Sequence, residues 1–215
     1  MISGFLLVNK DSGITSSRVV QILKKKFNLK KVGHLGTLDP MATGLLIIAI
    51  NRATKFASLL LQSEKSYRAE VTLGTQTDTD DAEGAVISTK KNYKNKSEVK
   101  EALLTFLGES EQLPPNYSAL KHKGKPMYKY ARDGIKVDKP ARKIFIKNID
   151  NIEINFPKVS FDIRCSKGTY IRSIARDLGI KLSCGAHLSK LIRTSQEKFM
   201  LSDACSIDDT NLEKL

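Results

Sequence analysis

A single carboxylate in a glycine-rich stretch is the residue of this sequence best suited to chemistry. Asp39 lies in Gly33–Gly44 (GHLGTLDPMATG), where Pro40 biases the backbone of Asp39 towards extended conformations. The flanking glycines adopt backbone shapes that other residues resist, so the loop can hold the carboxylate in one pose. Such a carboxylate can act as a nucleophile or stabilise positive charge on a substrate. A simple turn beginning at Asp39-Pro40 is an equally good reading of this segment alone.

The elements around the loop must hold it in place. The apolar run Leu45–Ile50 directly after it predicts a buried strand. Further strands are predicted at Gly4–Lys10, Tyr67–Leu73, Lys143–Phe156 and Val159–Cys165, where apolar residues run together or alternate. On spacing alone, Tyr67 is a core aromatic of its strand.

Helical spacing of apolar residues predicts four helices. The first is capped by Ser16 or Ser17, the second covers Thr54–Leu61, the third covers Ser97–Gly108 with Ser97 as its cap, and the last runs from a Thr169 cap to Gly179. Two segments are predicted to be irregular: the acidic stretch Thr75–Gly84 as a solvated loop, and Gly185–Thr194 as a loop with a short apolar segment.

Positive charge is concentrated in one part of the chain. The protein has 36 Lys and Arg against 23 Asp and Glu, a net charge of +13. Between Lys121 and Lys147, ten Lys and Arg face two Asp, which gives +8, and tyrosines alternate with the cations. Cations can bind phosphates while rings stack on bases, so this segment predicts an RNA-binding surface. A solvated lysine-rich face is the alternative.

Several function classes find no support. The three cysteines form no C-x-x-C pair, which favours a reducing intracellular setting. The three histidines are too dispersed to suggest a metal site, and no nucleotide-binding or hydrolase motif occurs. No apolar run is long enough to cross a bilayer. We therefore expect a cytoplasmic protein without metal or cofactor.

Five segments in one order resemble the TruB family of pseudouridine synthases, bacterial enzymes that modify uridine 55 of tRNA. They are Gly33–Gly44, Lys65–Ala69 (KSYRA), Leu113–Lys121 (LPPNYSALK), Cys165–Arg172 (CSKGTYIR) and Gly185–Leu188 (GAHL). Three positions depart from the family: Lys10-Asp11 replaces Lys-Pro, Ile192-Arg193 replaces paired arginines, and Glu197 replaces a glycine. These departures concern RNA contacts more than catalysis.

The resemblance implies an α+β fold with a mostly antiparallel central sheet and flanking helices. It implies one catalytic domain over residues 1–215, with a basic insertion over the cleft at about 113–147 and without the C-terminal PUA domain of many members. The implied reaction isomerises uridine 55 in the T-loop to pseudouridine, on a flipped-out base and with no cofactor.

The resemblance also assigns roles to residues. Asp39 is the essential aspartate, Arg172 its ion-pair partner, and Tyr67 the aromatic on the target base and a candidate proton acceptor. His34 holds flipped nucleotides, while Tyr170 and Leu191 line the uracil pocket. The expected RNA contacts are Lys10, Lys121, Lys125, Tyr128, Arg132, Lys167 and Arg193.

The expected partner is the T-arm and elbow of tRNA, bound by a monomer that needs no membrane or protein partner. Two alternatives stay open: a tRNA-binding or folding protein without catalysis, and a guide-RNA-dependent pseudouridine synthase subunit.

Overall fold

Helices and strands alternate irregularly along the chain, as expected for an α+β protein. The computed structural model describes residues 2–118, 120–135 and 137–212. The α-helices are α1 (Ser16–Lys26), α2 (Ala57–Leu61), α3 (Lys96–Leu104), α4 (Met127–Arg132) and α5 (Ile171–Lys181). Two 3₁₀ helices lie at Asn51–Phe56 and Leu201–Asp203. The strands are β1 (Gly4–Lys10), β2 (Val32–His34), β3 (Thr43–Ile50), β4 (Lys65–Leu73), β5 (Thr75–Thr77), β6 (Val86–Thr89), β7 (Gly108–Gln112), β8 (Lys121–His122), β9 (Lys125–Pro126), β10 (Arg142–Asn155), β11 (Lys158–Cys165), β12 (Ala186–Gln196) and β13 (Phe199–Met200).

One large sheet has the strand order β1-β3-β12-β4-β11-β10-β7, with β2 also paired to β3 and β13 to β12. Strands β1 and β3 are antiparallel, as are β7 and β10, whereas β12 runs parallel to β3. The hairpins β5-β6 and β8-β9 form two small separate sheets. The α+β class and the large central sheet are confirmed.

The chain divides into two compact units. Unit 1 contains Met1–Arg68, Ile163–Lys167 and Lys190–Leu215, and unit 2 contains Ala69–Asp162 and Gly168–Ser189. In unit 1, β3 is buried from Gly44 to Ile50, and Val19 and Leu23 of α1 are fully buried. In unit 2, α3 buries Val99 and Leu103 and α5 buries Ile174 and Leu178, so each helix turns one apolar stripe inwards.

Two predictions about irregular segments were wrong. The segment predicted as a loop at 185–194 is mostly β12, an eleven-residue strand between β3 and β4. The acidic segment is not simply solvated: it begins with β5, and the side chains of Asp80 and Asp81 are buried. Its carboxylates face arginines about ninety residues later in the chain, and this pairing stabilises them inside the protein.

The four predicted helices correspond to α1, to α2 with the 3₁₀ helix before it, to α3 and to α5, whereas α4 was not predicted. The caps predicted for α1, α3 and α5 were wrong. Thr15 caps α1 by accepting a hydrogen bond from the Arg18 amide, and Asn95 forms a capping box with Glu98 at the start of α3. Tyr170 occupies the N-cap position of α5. None of the helices in the described part of the chain is long and apolar enough to span a bilayer.

Candidate active site

The backbone around Asp39 is anchored in unit 1 by buried polar side chains. Ser16 Oγ donates to Leu38 O (3.0 Å) and accepts from the Leu38 amide (2.9 Å). Lys10 Nζ donates to the carbonyls of Asp11 (2.8 Å), Ile14 (2.7 Å) and Pro40 (3.2 Å). The Pro40 carbonyl also accepts from the Gly13 amide (2.8 Å). The residues on both sides of Asp39 are therefore fixed to α1 and to the turn after β1.

Arg193 of β12 holds the loop from the other side. Its side chain is fully buried, with Nε donating to Leu45 O (2.6 Å) and Nη2 donating to Gly36 O (3.0 Å). Gly44 pairs directly with Arg193 in the parallel ladder and has φ of +98°, a conformation that favours glycine. A Cβ at residue 44 would lie 2.5 Å from Arg193 O, so only glycine allows this close approach.

Two residues that were predicted to contact RNA are buried in this site. Lys10 and Arg193 both have no exposed surface, and their charged ends are bound to backbone carbonyls inside the protein. A buried side chain cannot reach an RNA phosphate from this position. The two residues support the Asp39 loop instead.

Tyr67 of β4 lies in the same unit, with its side chain buried. Burial raises the pKa of Tyr67 to about 12, and the nearby negative charge of Asp39 acts in the same direction. Arg193 partly opposes this pKa shift through its charge and a side-chain hydrogen bond to Tyr67. Unit 1 thus brings together a carboxylate, a phenol and a guanidinium. The phenol therefore stays protonated at neutral pH.

Two other titratable groups lie close to Arg193. Burial, and to a smaller extent the positive charge of Arg193, lower the pKa of Lys65 to about 8. Lys65 Nζ donates to Ser63 O at 2.9 Å. Burial and then Arg193 also lower the pKa of His34, whose Nδ1 has no hydrogen-bond partner among the described residues. His34 is therefore a neutral ring at physiological pH, suited to packing and hydrogen bonding.

Arg172 belongs to unit 2, in the first turn of α5, and its side chain is only 6% exposed. Its Nη1 lies 3.4 Å from Asp81 Oδ2 and donates to Thr79 O (3.2 Å), while Nη2 donates to Tyr117 O (2.8 Å). These contacts fix the plane of the guanidinium. Asp81 was not among the predicted site residues, because its acidic surroundings suggested solvent.

Tyr170 and Leu191 are the predicted residues of the uracil pocket. Tyr170 precedes α5 in unit 2, where its amide donates to Gln112 Oε1 (2.8 Å) and the Arg142 guanidinium lies 5.9 Å from its ring centroid. Leu191 lies on β12 in unit 1 and is 8% exposed.

The remaining predicted RNA contacts lie on less buried positions. Lys125 Nζ is 2.7 Å from Asp133 Oδ2 and lies over the Tyr130 ring, so its charge is partly balanced. Tyr128 is half-buried on α4, and the exposed Lys167 donates to Gln62 Oε1. The side chains of Lys121 and Arg132 lie outside the described residues. Within the described residues, no His, Cys, Asp and Glu side chains cluster as a metal site would require.

Comparison with known proteins gives one consistent group. A family model described as "TruB family pseudouridylate synthase (N terminal domain)" matches residues 24–171. The "tRNA pseudouridine synthase B" of Alkaliphilus oremlandii is 46% identical over 207 residues, which cover 96% of this chain and 69% of that protein. The protein of the same name from Clostridium kluyveri is 45% identical, with coverages of 99% and 73%.

Solved structures agree at the level of the fold. A chain from the "Crystal Structure of a Cbf5-Nop10-Gar1 Complex" matches with a TM-score of 0.75 and 30% identity over 96% of this chain. A chain from the "Structure of H/ACA RNP bound to a substrate RNA containing 2'-deoxyuridine" matches with a TM-score of 0.73 and 28% identity, also over 96%. The present chain spans about half the length of these solved chains, 53% and 51%.

Proposed function

The chain belongs to the TruB family of pseudouridylate synthases, and from this we propose that it converts uridine 55 in the T-loop of tRNA to pseudouridine with Asp39 as the essential carboxylate. The enzyme class is that of the matched relatives: the chain is a tRNA pseudouridine synthase, an isomerase. The choice of position 55 and the roles of individual residues are our proposal.

The anchored loop around Asp39 is the observation that carries the proposal. Backbone carbonyls at residues 36, 38 and 40 accept hydrogen bonds from Arg193, Ser16 and Lys10, all of which are buried. A loop tied at three points positions its carboxylate before substrate binds, and this preorganisation lowers the barrier to reaction.

The proposed reaction consumes nothing. The bond between uracil N1 and the ribose C1′ breaks, the detached base turns, and C5 bonds to the same C1′. The proton leaves C5 and N1 gains one, so atoms and charge balance without a co-reactant. Asp39 either attacks as a nucleophile or stabilises positive charge on the sugar, and a dry pocket keeps the base from escaping.

We assign the other residues by their family positions. Arg172 is proposed as the ion-pair partner that keeps Asp39 ionised and oriented. Tyr67 is proposed to pack its ring on the target base, and its raised pKa disfavours the further role of proton acceptor. His34 holds flipped nucleotides, while Tyr170 and Leu191 line the uracil pocket.

RNA binding is proposed for the basic insertion, residues 113–147, and for Lys167. Lys121, Lys125, Tyr128 and Arg132 would contact the T-arm through phosphate charge and base stacking. The protein is proposed to act as a cytoplasmic monomer without a protein partner.

A guide-RNA-dependent subunit is the second candidate, because the matched solved structures come from H/ACA and Cbf5-Nop10-Gar1 complexes. The identity to the tRNA pseudouridine synthases is 45–46%, against 28–30% to those chains, which favours the first candidate. A tRNA-binding protein without catalysis is disfavoured by the intact Asp39, Tyr67 and Arg172.

The test mixes purified protein with an unmodified tRNA transcript and no cofactor, and then maps pseudouridine along the RNA. We expect product at position 55 with wild type, and tRNA binding without product for Asp39→Asn. Binding by wild type without product would refute the stand-alone enzyme. Product that appears only with added guide RNA and partner proteins would support the second candidate.

A further inference from the structure

Helix α5 holds the beginning of the basic insertion through side-chain hydrogen bonds. We call residues 113–118 the insertion stem. Ser173 Oγ and Arg176 Nη2 both donate to Leu113 O, each at 2.9 Å. Arg172 donates to Tyr117 O at 2.8 Å. Both ends of the stem are therefore tied to one face of α5.

Arg176 is itself held by two carboxylates. Its Nη1 lies 3.3 Å from Asp80 Oδ2 and its Nε lies 2.8 Å from Asp177 Oδ1. The side chains of Arg176 and Asp80 are only 15% and 12% exposed, so this is a largely buried pair. Charge-assisted hydrogen bonds of this kind restrict both the position and the plane of the guanidinium.

The returning end of the insertion is fastened to the same stem. Lys139 Nζ donates to Pro114 O (2.7 Å) and to Asn116 Oδ1 (2.6 Å). Lys139 and Arg176 thus bind the neighbouring carbonyls of Pro114 and Leu113. Burial lowers the pKa of Lys139, and the positive charge of Arg176 acts in the same direction. The stem and the returning segment at Lys139 are thus both fastened beside Arg176.

A cavity of about 730 Å³ lies next to this attachment, with Asp80, Asn116, Lys139, Arg176 and Ile180 among its lining residues. Pro114 and Pro115 of the stem are buried, and the carbonyls of residues 113, 114 and 117 accept hydrogen bonds from Arg176, Lys139 and Arg172. These donors therefore help to set where the stem lies. A largely buried ion pair adds little net stability over an apolar pair, but it can fix geometry.

We propose that Arg176, oriented by Asp80, is a positioning residue that fixes the insertion stem and thereby sets the pose in which the insertion meets the tRNA T-arm. This inference rests on the proposed tRNA substrate. It assigns Arg176 no contact with the reacting base. Loss of the guanidinium should therefore weaken tRNA binding and leave the chemical step intact.

The test compares Arg176→Met with Arg164→Met in the full chain. Arg164 is a matched control, because it also pairs with a carboxylate, Glu64, at 2.8 Å, but on the surface with 49% and 36% exposure. Three quantities are measured: the Kd for an unmodified T-arm RNA, the single-turnover rate at saturating RNA, and hydrogen exchange of the amides in the stem. We expect Arg176→Met to raise Kd about tenfold, because RNA binding must then supply the free energy of ordering the stem that the charge-assisted hydrogen bond supplied before.

The single-turnover rate of Arg176→Met at saturating RNA should stay within about twofold of wild type, because only the position of the stem is changed. Stem amides should exchange faster, because the stem opens more easily. Arg176→Lys should recover part of the affinity by restoring one charged donor. Arg164→Met should resemble wild type in all three measurements.

Unchanged Kd and unchanged stem exchange in Arg176→Met would overturn the proposal, as would a reduced saturating rate with normal Kd. Asp80→Asn repeats the test if Arg176→Met does not fold, with a smaller rise in Kd expected. If wild type makes no pseudouridine, the proposed function fails, and hydrogen exchange in the stem alone still decides whether Arg176 positions it.

Discussion

Gly44→Ala should be severely destabilising, because Gly44 lies where strand β3 touches β12. A Cβ there would lie 2.5 Å from Arg193 O, 2.9 Å from Arg193 N and 3.1 Å from Arg193 C. The backbone at Gly44 also has φ of +98°, which strains any residue with a side chain. The substitution therefore opposes both the local backbone conformation and the strand pairing.

The positive φ at residue 44 and the clash of the new Cβ with Arg193 together set the size of the effect. Carbon and oxygen atoms in contact are normally about 3.5 Å apart, so the strands must separate by roughly 1 Å at this point. The positive φ contributes about 1–2 kcal/mol. Two ladder hydrogen bonds stretched beyond useful length contribute about 1 kcal/mol each. We expect a loss of about 3–4 kcal/mol in the free energy of unfolding.

Urea unfolding measures this loss, with Gly33→Ala as the control from the same loop. Nothing lies within 4 Å of a Cβ at Gly33, so that variant should stay within about 1 kcal/mol of wild type. At a temperature where Gly44→Ala is folded, we expect pseudouridine formation to fall about 100-fold through misplacement of Asp39. Equal free energies of unfolding for Gly44→Ala and Gly33→Ala would show that a Cβ at residue 44 does not force β3 and β12 apart.

Three further predictions use urea unfolding. Lys10→Met removes the donor to three carbonyls and should cost about 3 kcal/mol, whereas Lys25→Met on the surface should cost almost nothing; equal losses would contradict the anchoring role. Asp81→Asn removes the negative charge that faces the buried Arg172 and should lower the free energy of unfolding by about 3 kcal/mol. The exposed Asp78→Asn should change it little. Lys65 has a folded pKa of about 8 and a model-compound value of 10.5. Between these pH values the unfolded chain keeps a proton that the folded chain has released, so stability should rise with pH, and Lys65→Met should flatten that rise.

Local patterns in the sequence predicted most of the fold. The apolar run before Asn51 and the alternation from Tyr67 to Leu73 correspond directly to β3 and β4. Period-two and period-3.6 patterns are set by one face of one element, so they need no knowledge of the rest of the chain. The residue types and spacing around Asp39 likewise identified the loop that the structure anchors.

Long-range pairing explains what the sequence could not predict. Two adjacent acidic residues such as Asp80 and Asp81 usually indicate a solvent-exposed loop. In the structure they are buried instead, because Arg172 and Arg176 of α5 pair with them. The family position of Lys10 predicted an RNA contact, but three carbonyls bind its ammonium group inside the protein.

Strand β12 was missed for a related reason. Its buried positions include polar residues such as His187, Arg193 and Gln196, which obscure the apolar alternation that usually marks a strand. Their hydrogen-bond partners lie in distant parts of the sequence, at Thr75, Leu45 and Leu60.

The place of β12 in the sheet constrains the order of events as the protein is made. Strand β12 lies between β3 and β4, but residues 74–185 are synthesised after β4 and before it. A nascent chain that ends within this interval therefore carries two apolar strands with unpaired edges, which favours aggregation. Closure of the Asp39 loop by Arg193 must wait for β12, so the proposed catalytic site can form only late in synthesis. Folding should therefore be slow for a chain of this size.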